Sequence, residues 1–236
     1  MPLTLETSLS QDQEIDLNTF SIAATDGLGS FGVAVSTARP NVGSLVPFVS
    51  LKGAVATQAR VNTDLGRHGL ALLEAGVSLG VGLGGVLERD PNPTLRQLHA
   101  VSHDESFAFT GQDCVEWAGH LKKDKVTVAG NMLKGPHVIE AMMAAFEKSL
   151  TLELSEGLLL ALEAGQAAGG DKRGKVSAAL LVASPKPRLY HNIRVDEHTN
   201  PVAELRRIYG LLLEQSEAIK KDYGEEGLAL FSKVKT

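Results

Sequence analysis

The sequence predicts an α+β fold in which antiparallel sheets are covered by helices, and two features of the chain indicate it. Segments with strand character come in groups of two or three, separated by groups of one or two helical segments. Such grouping favours antiparallel sheets over a doubly wound parallel sheet, in which strands and helices alternate. Residues 176–184 (VSAALLVAS) are almost uniformly apolar, which predicts a strand inside a sheet with both faces covered.

The first half of the chain predicts a hairpin, a third strand and two helices. Residues 19–25 and 30–37 are β-prone and flank an Asp-Gly-Leu-Gly turn, whose glycines permit positive φ angles. Residues 53–59 predict the third strand, after a loop that contains two prolines. Apolar residues in 64–87 are spaced as on helix faces, and Gly76 divides this stretch into two helices.

The second half predicts a further hairpin, three more strands and three helices. The hairpin covers residues 95–103 and 106–111, and a strand follows at 125–131. Pro136 opens a helix that runs to about residue 150, because proline is tolerated in the first helical turn. The remaining segments are a helix at 155–168, the buried strand paired with 189–195, and a long helix after Asn200 and Pro201, followed by a charged tail. That last helix has an apolar face made of Leu205, Ile208, Leu211, Leu212 and Ile219.

Composition and charge exclude several classes of protein. The 236 residues are 43% hydrophobic and 22% charged, which is a globular balance. A net charge of -5 opposes binding to nucleic acid, which relies on clustered Lys and Arg. A single cysteine and the absence of an 18-residue apolar stretch or a signal-peptide pattern predict a cytoplasmic protein that does not cross a membrane.

Two patterns suggest cofactors, but their context does not support them. Gly80, Gly82 and Gly85 form a Gly-x-Gly-x-x-Gly pattern, yet it follows a helix instead of a strand, so close helix packing explains it better than dinucleotide binding. The seven histidines show neither His-x-x-x-His nor His-x-His spacing, and the closest acidic-histidine group lies between residues 191 and 198. We therefore expect no cofactor and no metal, with a metal-dependent hydrolase as an alternative.

Two segments carry residues suited to catalysis or binding. The loop Gly-Gly-Asp-Lys-Arg-Gly-Lys at 169–175 lies between a helix and the buried strand, where binding residues are common, and it contains Asp171 and Arg173. A helix cap with a surface ion pair would explain the same loop. Thr19 opens the first strand; its hydroxyl would be a nucleophile if a base, such as a terminal α-amine, removed its proton. Eighteen residues precede it.

Six short runs together resemble the signature blocks of the domain of unknown function 1028 family. They are Thr-Phe-Ser-Ile-Ala at 19–23, Gly-Val-Ala-Val-Ser at 32–36, Gly-Ala-Val-Ala-Thr-Gln-Ala at 53–59, Trp-Ala-Gly-His at 117–120, Gly-Asn at 130–131 and Gly-Asp-Lys-Arg-Gly at 170–174. The resemblance implies the fold of the N-terminal-nucleophile (Ntn) hydrolases, a four-layer αββα sandwich of two antiparallel sheets faced by helices. We expect one such domain over residues 19–236, behind a polar leader at 1–18.

The resemblance also implies a function and a set of site residues. Thr19 matches the nucleophile position, and the substrate would be an amide or another acyl compound, so we expect an amidohydrolase that acts on a small amide-containing metabolite. Asn131 and the backbone beside it are candidate oxyanion donors. Gln58, Asp171 and Arg173 would line the substrate pocket, where the planar guanidinium of Arg173 suits a carboxylate.

The leader separates this sequence from the family pattern and leaves other interpretations open. Residues 1–18 would have to be removed, for example by self-cleavage between Asn18 and Thr19, before Thr19 has an α-amine. Otherwise His120 is the candidate base, unless it is a histidine hydrogen-bonded beneath a loop. Cys114 has no visible activating partner and is expected to be an inert thiol. A non-catalytic small-molecule-binding or assembly protein on the same fold is the alternative function, and the C-terminal helix favours a homodimer.

Overall fold

A computed structural model of the protein describes residues 16, 17 and 19–230. Most of the leader and the end of the charged tail, both predicted from the sequence, lie outside the described residues. The strands are β1 (Asp16–Leu17), β2 (Thr19–Thr25), β3 (Phe31–Thr37), β4 (Pro47–Ser50), β5 (Gly53–Arg60), β6 (Arg96–Ser102), β7 (Ser106–Thr110), β8 (Gly119–Lys123), β9 (Val126–Gly130), β10 (Ser177–Ala183) and β11 (Asn192–Val195). The α-helices are α1 (Thr63–Glu74), α2 (Leu79–Glu88), α3 (His137–Lys148), α4 (Leu154–Ala167) and α5 (Pro201–Ala229).

The described strands form two antiparallel sheets. The first sheet has the order β1-β5-β6-β7, with β4 also paired to β5, and the second has the order β11-β10-β3-β2-β9-β8. Helices α1 and α2 contact the first sheet, while α3 and α4 contact the second. The prediction of an α+β fold with antiparallel sheets and grouped helices is therefore confirmed, as is the burial of the apolar strand β10.

Strand β2 shows how the sheets and helices pack together. Phe20 and Ile22 are buried in a cluster with residues of α3 and α4, such as Met142. Ala23 lies on the opposite side of the strand, in a cluster with Ala56 of the first sheet. Since side chains alternate along a strand, β2 separates a helix-facing core from a core between the two sheets.

Three short strands are absent from the sequence prediction, which placed loops in these regions. β4 begins at Pro47, and proline within a strand normally demotes it to an edge. β8 (Gly-His-Leu-Lys-Lys) is an edge strand of the second sheet and is polar enough to resemble a loop. β1 lies in the polar leader. Each is specified by pairing with a neighbour instead of by its own apolar pattern.

The C-terminal helix departs from its prediction in two details. Asn200 occupies the N-cap position, but its side chain makes no capping bond and instead accepts from Lys175 Nζ at 2.7 Å. Leu211 was predicted on the apolar face but is 53% exposed, whereas Leu205 is fully buried. The apolar face is therefore narrower than the sequence suggests. Among the described residues, the helices lack the combination of length and apolar character that crossing a bilayer requires.

Candidate functional site

Thr19 lies where the chain passes from the first sheet to the second. Immediately before it, β1 pairs with the end of β5, so that Leu17 is opposite Ala59. Thr19 itself begins β2 and is opposite Thr37 of β3. Its side chain is fully buried, and its carbonyl oxygen accepts a hydrogen bond from the main-chain N–H of Asn131 at 3.0 Å. In the full-length chain the candidate nucleophile is therefore covered.

Asn131 follows β9 and lies directly beside Thr19. Its side chain is fully buried, and its Nδ2 donates to Gln97 Oε1 at 3.0 Å. The position fits the predicted oxyanion donor, because a donor must lie next to the attacked carbonyl. In this structure, however, its main-chain N–H is bonded to Thr19 and its side-chain amide is directed toward Gln97.

The loop around Asp171 closes the same end of the second sheet. Asp171 is buried, forms an isolated antiparallel bridge with Leu133, and accepts from the main-chain N–H of Ala38 at 3.2 Å. Its carboxylate also receives the main-chain N–H and the guanidinium of Arg173, each at 2.8 Å. The ion pair anticipated as the simpler explanation of this loop is thus present, and it holds the Arg173 guanidinium against Asp171.

A chain of buried polar side chains crosses the space between the sheets. Ser21 Oγ donates to Gln58 Oε1 at 2.6 Å and lies 2.7 Å from His99 Nε2. Because a hydroxyl has one proton to donate, His99 Nε2 is the donor in that contact, which leaves Nδ1 to accept from Thr127 Oγ1 at 2.9 Å. All four side chains are fully buried. Burial, followed by the charge of His120, lowers the pKa of His99 to about 3, so the imidazole is neutral.

Gln97 joins this chain to Asn131. Its Oε1 accepts from Gln58 Nε2 at 2.7 Å and from Asn131 Nδ2 at 3.0 Å. Its Nε2 donates to the Gly130 carbonyl and to Thr110 Oγ1, both at 2.9 Å. Gln97 is itself fully buried. One amide therefore ties β6 of the first sheet to the end of β9 in the second, next to the residue that contacts Thr19.

His120 lies at the outer end of the same network and not beneath a loop. It belongs to the edge strand β8, it is exposed, and its Nδ1 lies 2.8 Å from Thr110 Oγ1. Partial desolvation of the imidazole, which is less open to water than the residue as a whole, and then the charge of Lys122 lower its pKa. The hydrogen bonds described connect His120 to Asn131 only through Thr110 and Gln97, so this geometry favours a supporting role over direct contact with the Thr19 hydroxyl.

The buried Arg96 and its partners hold together the end of the first sheet where β5 ends. Arg96 is almost fully buried, with its Nε 2.9 Å from Asp90 Oδ1 and its Nη1 donating to the Arg60 carbonyl at 2.7 Å. Cys114 Sγ contacts the Arg96 carbonyl at 3.4 Å. Burial raises the pKa of Cys114 to about 11, which keeps the thiol protonated and agrees with the expectation that it is inert.

Two open cavities lined by described residues lie at the other end of the sheets. One, of about 560 Å³, is lined by Thr25 at the end of β2 and by Lys125 before β9. Another, of about 490 Å³, includes Phe31 and Ser102. Within the part of the chain that the structure describes, no group of three His, Cys, Asp or Glu side chains is arranged to hold a metal ion.

The structure brings most of the predicted site residues together, and it adds others. Thr19, Asn131, Asp171 and Arg173 lie at one end of the second sheet, while Gln58 reaches them through Gln97 from within the core. Sequence reasoning missed five members of the network, which are Ser21, Gln97, His99, Thr110 and Thr127. A signal was present, because Thr19, Ser21 and Thr25 alternate with apolar residues along β2 even though both faces of that strand are buried.

Comparison with known proteins identifies the family. Residues 19–205 match the family of unknown function DUF1028. The chain belongs to the DUF1028 family. The match begins at Thr19, the first residue of β2, and it includes every element of the two sheets except β1.

A solved structure supports the same assignment. The crystal structure of protein SPO2555 from Silicibacter pomeroyi, also assigned to DUF1028, is 32% identical to this chain. The alignment covers 82% of this chain and 85% of that chain, with a TM-score of 0.75. No curated protein matches the chain. DUF1028 membership thus rests on both sequence and three-dimensional similarity.

Proposed function

We propose that this DUF1028 protein is an Ntn-type amidohydrolase whose nucleophile is Thr19. Two features of the architecture support the corresponding four-layer αββα sandwich. The two sheets share a core that contains Ala23 and Ala56, and each sheet is covered by its own helices, α1 and α2 on the first and α3, α4 and α5 on the second. In such a fold the site lies at one end of the sheets, where several strands end together. Thr19, Asn131 and Asp171 occupy one such end.

The observation that carries the proposal is the position of Thr19 at the crossing between the two sheets. It is the first residue of an interior strand, it contacts the main-chain N–H of Asn131, and it follows a segment paired to the opposite sheet. Cutting the chain before Thr19 would place a new α-amine next to its own hydroxyl. An α-amine with a pKa near 8 is a suitable base for that proton.

Self-cleavage accounts for how the amine is released. Thr19 Oγ attacks the Asn18 carbonyl carbon, the C–N bond to Thr19 breaks, and the acyl group moves to the oxygen as an ester. Water then hydrolyses the ester, which leaves a carboxylate on Asn18 and a free amine and hydroxyl on Thr19. Until this occurs the hydroxyl is buried, so the full-length chain is the inactive precursor.

After cleavage the same groups act on the substrate amide. The Thr19 amine accepts the hydroxyl proton as Oγ attacks the substrate carbonyl, the leaving amine departs with that proton, and water hydrolyses the acyl ester. Asn131 stabilises the oxyanion once the Thr19 carbonyl has shifted. Arg173, held by Asp171, binds a substrate carboxylate, and Gln58 positions Asn131 through Gln97.

One observation favours the alternative, a non-catalytic binding or assembly protein. The Thr19 side chain has no exposed surface, and the hydrogen bonds described for His120 end at Thr110 and do not extend to Thr19. If the leader is permanent, the threonine hydroxyl stays buried away from substrate and no α-amine is formed beside it. The two functions therefore differ in a property that can be measured without knowing a substrate.

Intact mass spectrometry of the full-length protein during incubation tests the proposal. We expect a product that lacks residues 1–18 and begins at Thr19, and we expect Thr19→Ser to give the same product. Thr19→Ala removes the attacking hydroxyl together with the methyl group and should remain full-length, while Thr19→Ser, which loses only the methyl group, controls for that second loss. Cleaved wild-type protein should then hydrolyse members of an amide library that Thr19→Ala does not. A wild-type chain that keeps its leader, including when purified from its native cells, would overturn the Thr19 amine as the base and would favour the binding protein or a different base.

A further inference from the structure

The main-chain edge of β5 beside Thr19 is occupied by the residues that precede Thr19. β4 covers the first half of that edge, because Pro47–Ser50 pairs with residues 53–56. β1 covers its end, where Asp16 is opposite Arg60 and Leu17 is opposite Ala59. The two residues before Asn18 are therefore held as an antiparallel strand on the first sheet.

The backbone of this edge is fixed by contacts that do not involve the leader. The Arg60 carbonyl accepts from the buried Arg96, and the Gln58 side chain is locked between Ser21 and Gln97. Ala59 adopts φ 68°, which is rare for a residue other than glycine and is found most often at sites that serve ligands. A preformed edge loses little conformational entropy on binding.

The leader and the end of the protein that contains Thr19 differ in charge. The leader contains Glu6, Asp12, Glu14 and Asp16 but no Lys or Arg. The end of the second sheet that contains Thr19 carries exposed basic side chains at Arg39, Lys134 and Lys172, with the acidic Glu116 beside Lys172, and Arg60 at the end of β5 is half-buried. The loops that carry Arg39, Lys134 and Lys172 meet at Asp171, because Ala38 and Leu133 both contact this residue. An anionic strand is the ligand that this end accommodates best.

We infer that the β5 edge at Ala59 and Arg60 is the binding site for the acyl portion of the substrate, which is an extended, anionic, peptide-like amide. This inference rests on the proposed function and specifies its substrate. The leader is the first occupant, and its departure opens the same edge to substrate. Recognition uses main-chain hydrogen bonds, as in other cases where a peptide adds a strand to a sheet edge.

The register also gives a minimum length for the substrate. One residue, Asn18, separates the paired segment from the bond before Thr19, so the second and third residues from the scissile carbonyl make the strand contacts. The acyl group must therefore extend at least three residues from that carbonyl. This narrows the small amide-containing metabolite expected from the sequence to compounds with a peptide-like backbone.

Peptide binding in trans tests the inference without requiring cleavage. In the full-length chain, the double substitution Asp16→Pro and Leu17→Pro removes the main-chain donors of β1 and frees the edge. A synthetic peptide of residues 10–18 with an amidated C-terminus should then bind and shift the NMR signals of the Ala59 and Arg60 amides. The wild-type chain, whose edge is occupied, should bind it much more weakly.

Two altered peptides separate backbone recognition from charge. N-methylation at residues 16 and 17 should weaken binding about tenfold, the effect of losing a net hydrogen bond or two. Replacing the acidic residues by Asn and Gln should also weaken binding and reduce its dependence on salt. If the double proline variant does not fold, either single substitution, Asp16→Pro or Leu17→Pro, removes one main-chain donor and gives a weaker form of the same test.

The outcomes for the two proposals are distinct. Equal binding of the N-methylated peptide, or shifts confined to other parts of the protein, would overturn the substrate inference even if the leader is cleaved. Saturable peptide binding at Ala59 and Arg60 together with a permanent Asn18–Thr19 bond would support the edge as a peptide site and overturn only the hydrolase.

Discussion

The two faces of strand β2 are equally buried but chemically opposite. Toward the helices it presents Phe20 and Ile22, which pack in a continuous apolar cluster. Toward the other sheet it presents the buried Thr19 and Ser21, and the Ser21 hydroxyl hydrogen-bonds to Gln58 and His99. The same seven residues thus belong to an ordinary hydrophobic core on one side and to a hydrogen-bonded network on the other.

The contrast indicates what the polar face contributes. Burying polar groups costs free energy unless every group is paired, and a fully paired network fixes the geometry of the elements that it joins. Elsewhere between the sheets Val33, Val35 and Ala54 pack without polar contacts, so hydrogen bonds are not needed to hold the sheets together. The network is located where it sets the relative positions of β2, β5, β6 and β9 at the Thr19 end.

The largest loss of stability is expected for Gln97→Leu. The apolar side chain is close in volume, but it leaves Gln58, Asn131 and the Gly130 carbonyl without their partner inside the protein. We expect the free energy of unfolding to fall by about 4 kcal/mol, measured by urea denaturation. Gln112→Leu, at an exposed position, should change it by less than about 0.5 kcal/mol. Similar values for the two variants would show that the network adds little to stability.

Ser21 and Ile22 are adjacent residues on opposite faces of β2, so the stability losses of matched substitutions there can be compared directly. These losses are expected to be smaller than that of Gln97→Leu. Ser21→Ala and Ile22→Val each remove one heavy atom from a fully buried side chain. Ser21→Ala strands His99 Nε2 and Gln58 Oε1 and should cost about 2 kcal/mol, whereas Ile22→Val should cost about 1 kcal/mol. Chemical denaturation measures both. A reversed order would mean that packing on the helix side dominates.

The same contrast explains how much of the structure can be predicted from the sequence. Elements with an apolar pattern of their own, such as β10 and the helix pair at residues 64–87, are correctly predicted because burial is a local property of each segment. Strands β4 and β8 are missed because their pairing partners, and not their own residues, specify them. The grouping of strands and helices along the sequence is sufficient to predict the class of fold.

The candidate site divides in a similar way. Thr19 and Asp171 were found because they lie in recognisable runs, and the structure places them at the same end of one sheet. His99 and Gln97 were missed because β6 carries no motif, and their role depends on facing Ser21 and Asn131 across 78 and 34 residues of chain. Tertiary contacts of this kind have no local signal in a single sequence.

The smallest expected change in the free energy of unfolding is its dependence on pH, which tests the contribution of His99 alone. Its pKa in the folded protein, about 3, is below the 6.5 of an unfolded histidine, so the unfolded state takes up a proton first as the pH falls. Stability is therefore lost below about pH 6.5, by about 1 kcal/mol between pH 7 and pH 5.5. His99→Gln should be less stable at pH 7, since it disturbs the contacts with Ser21 and Thr127, but its stability should depend less steeply on pH in this range. Parallel slopes for wild type and variant would mean that His99 is not held neutral, and the assigned direction of hydrogen bonds through Ser21 would then be wrong.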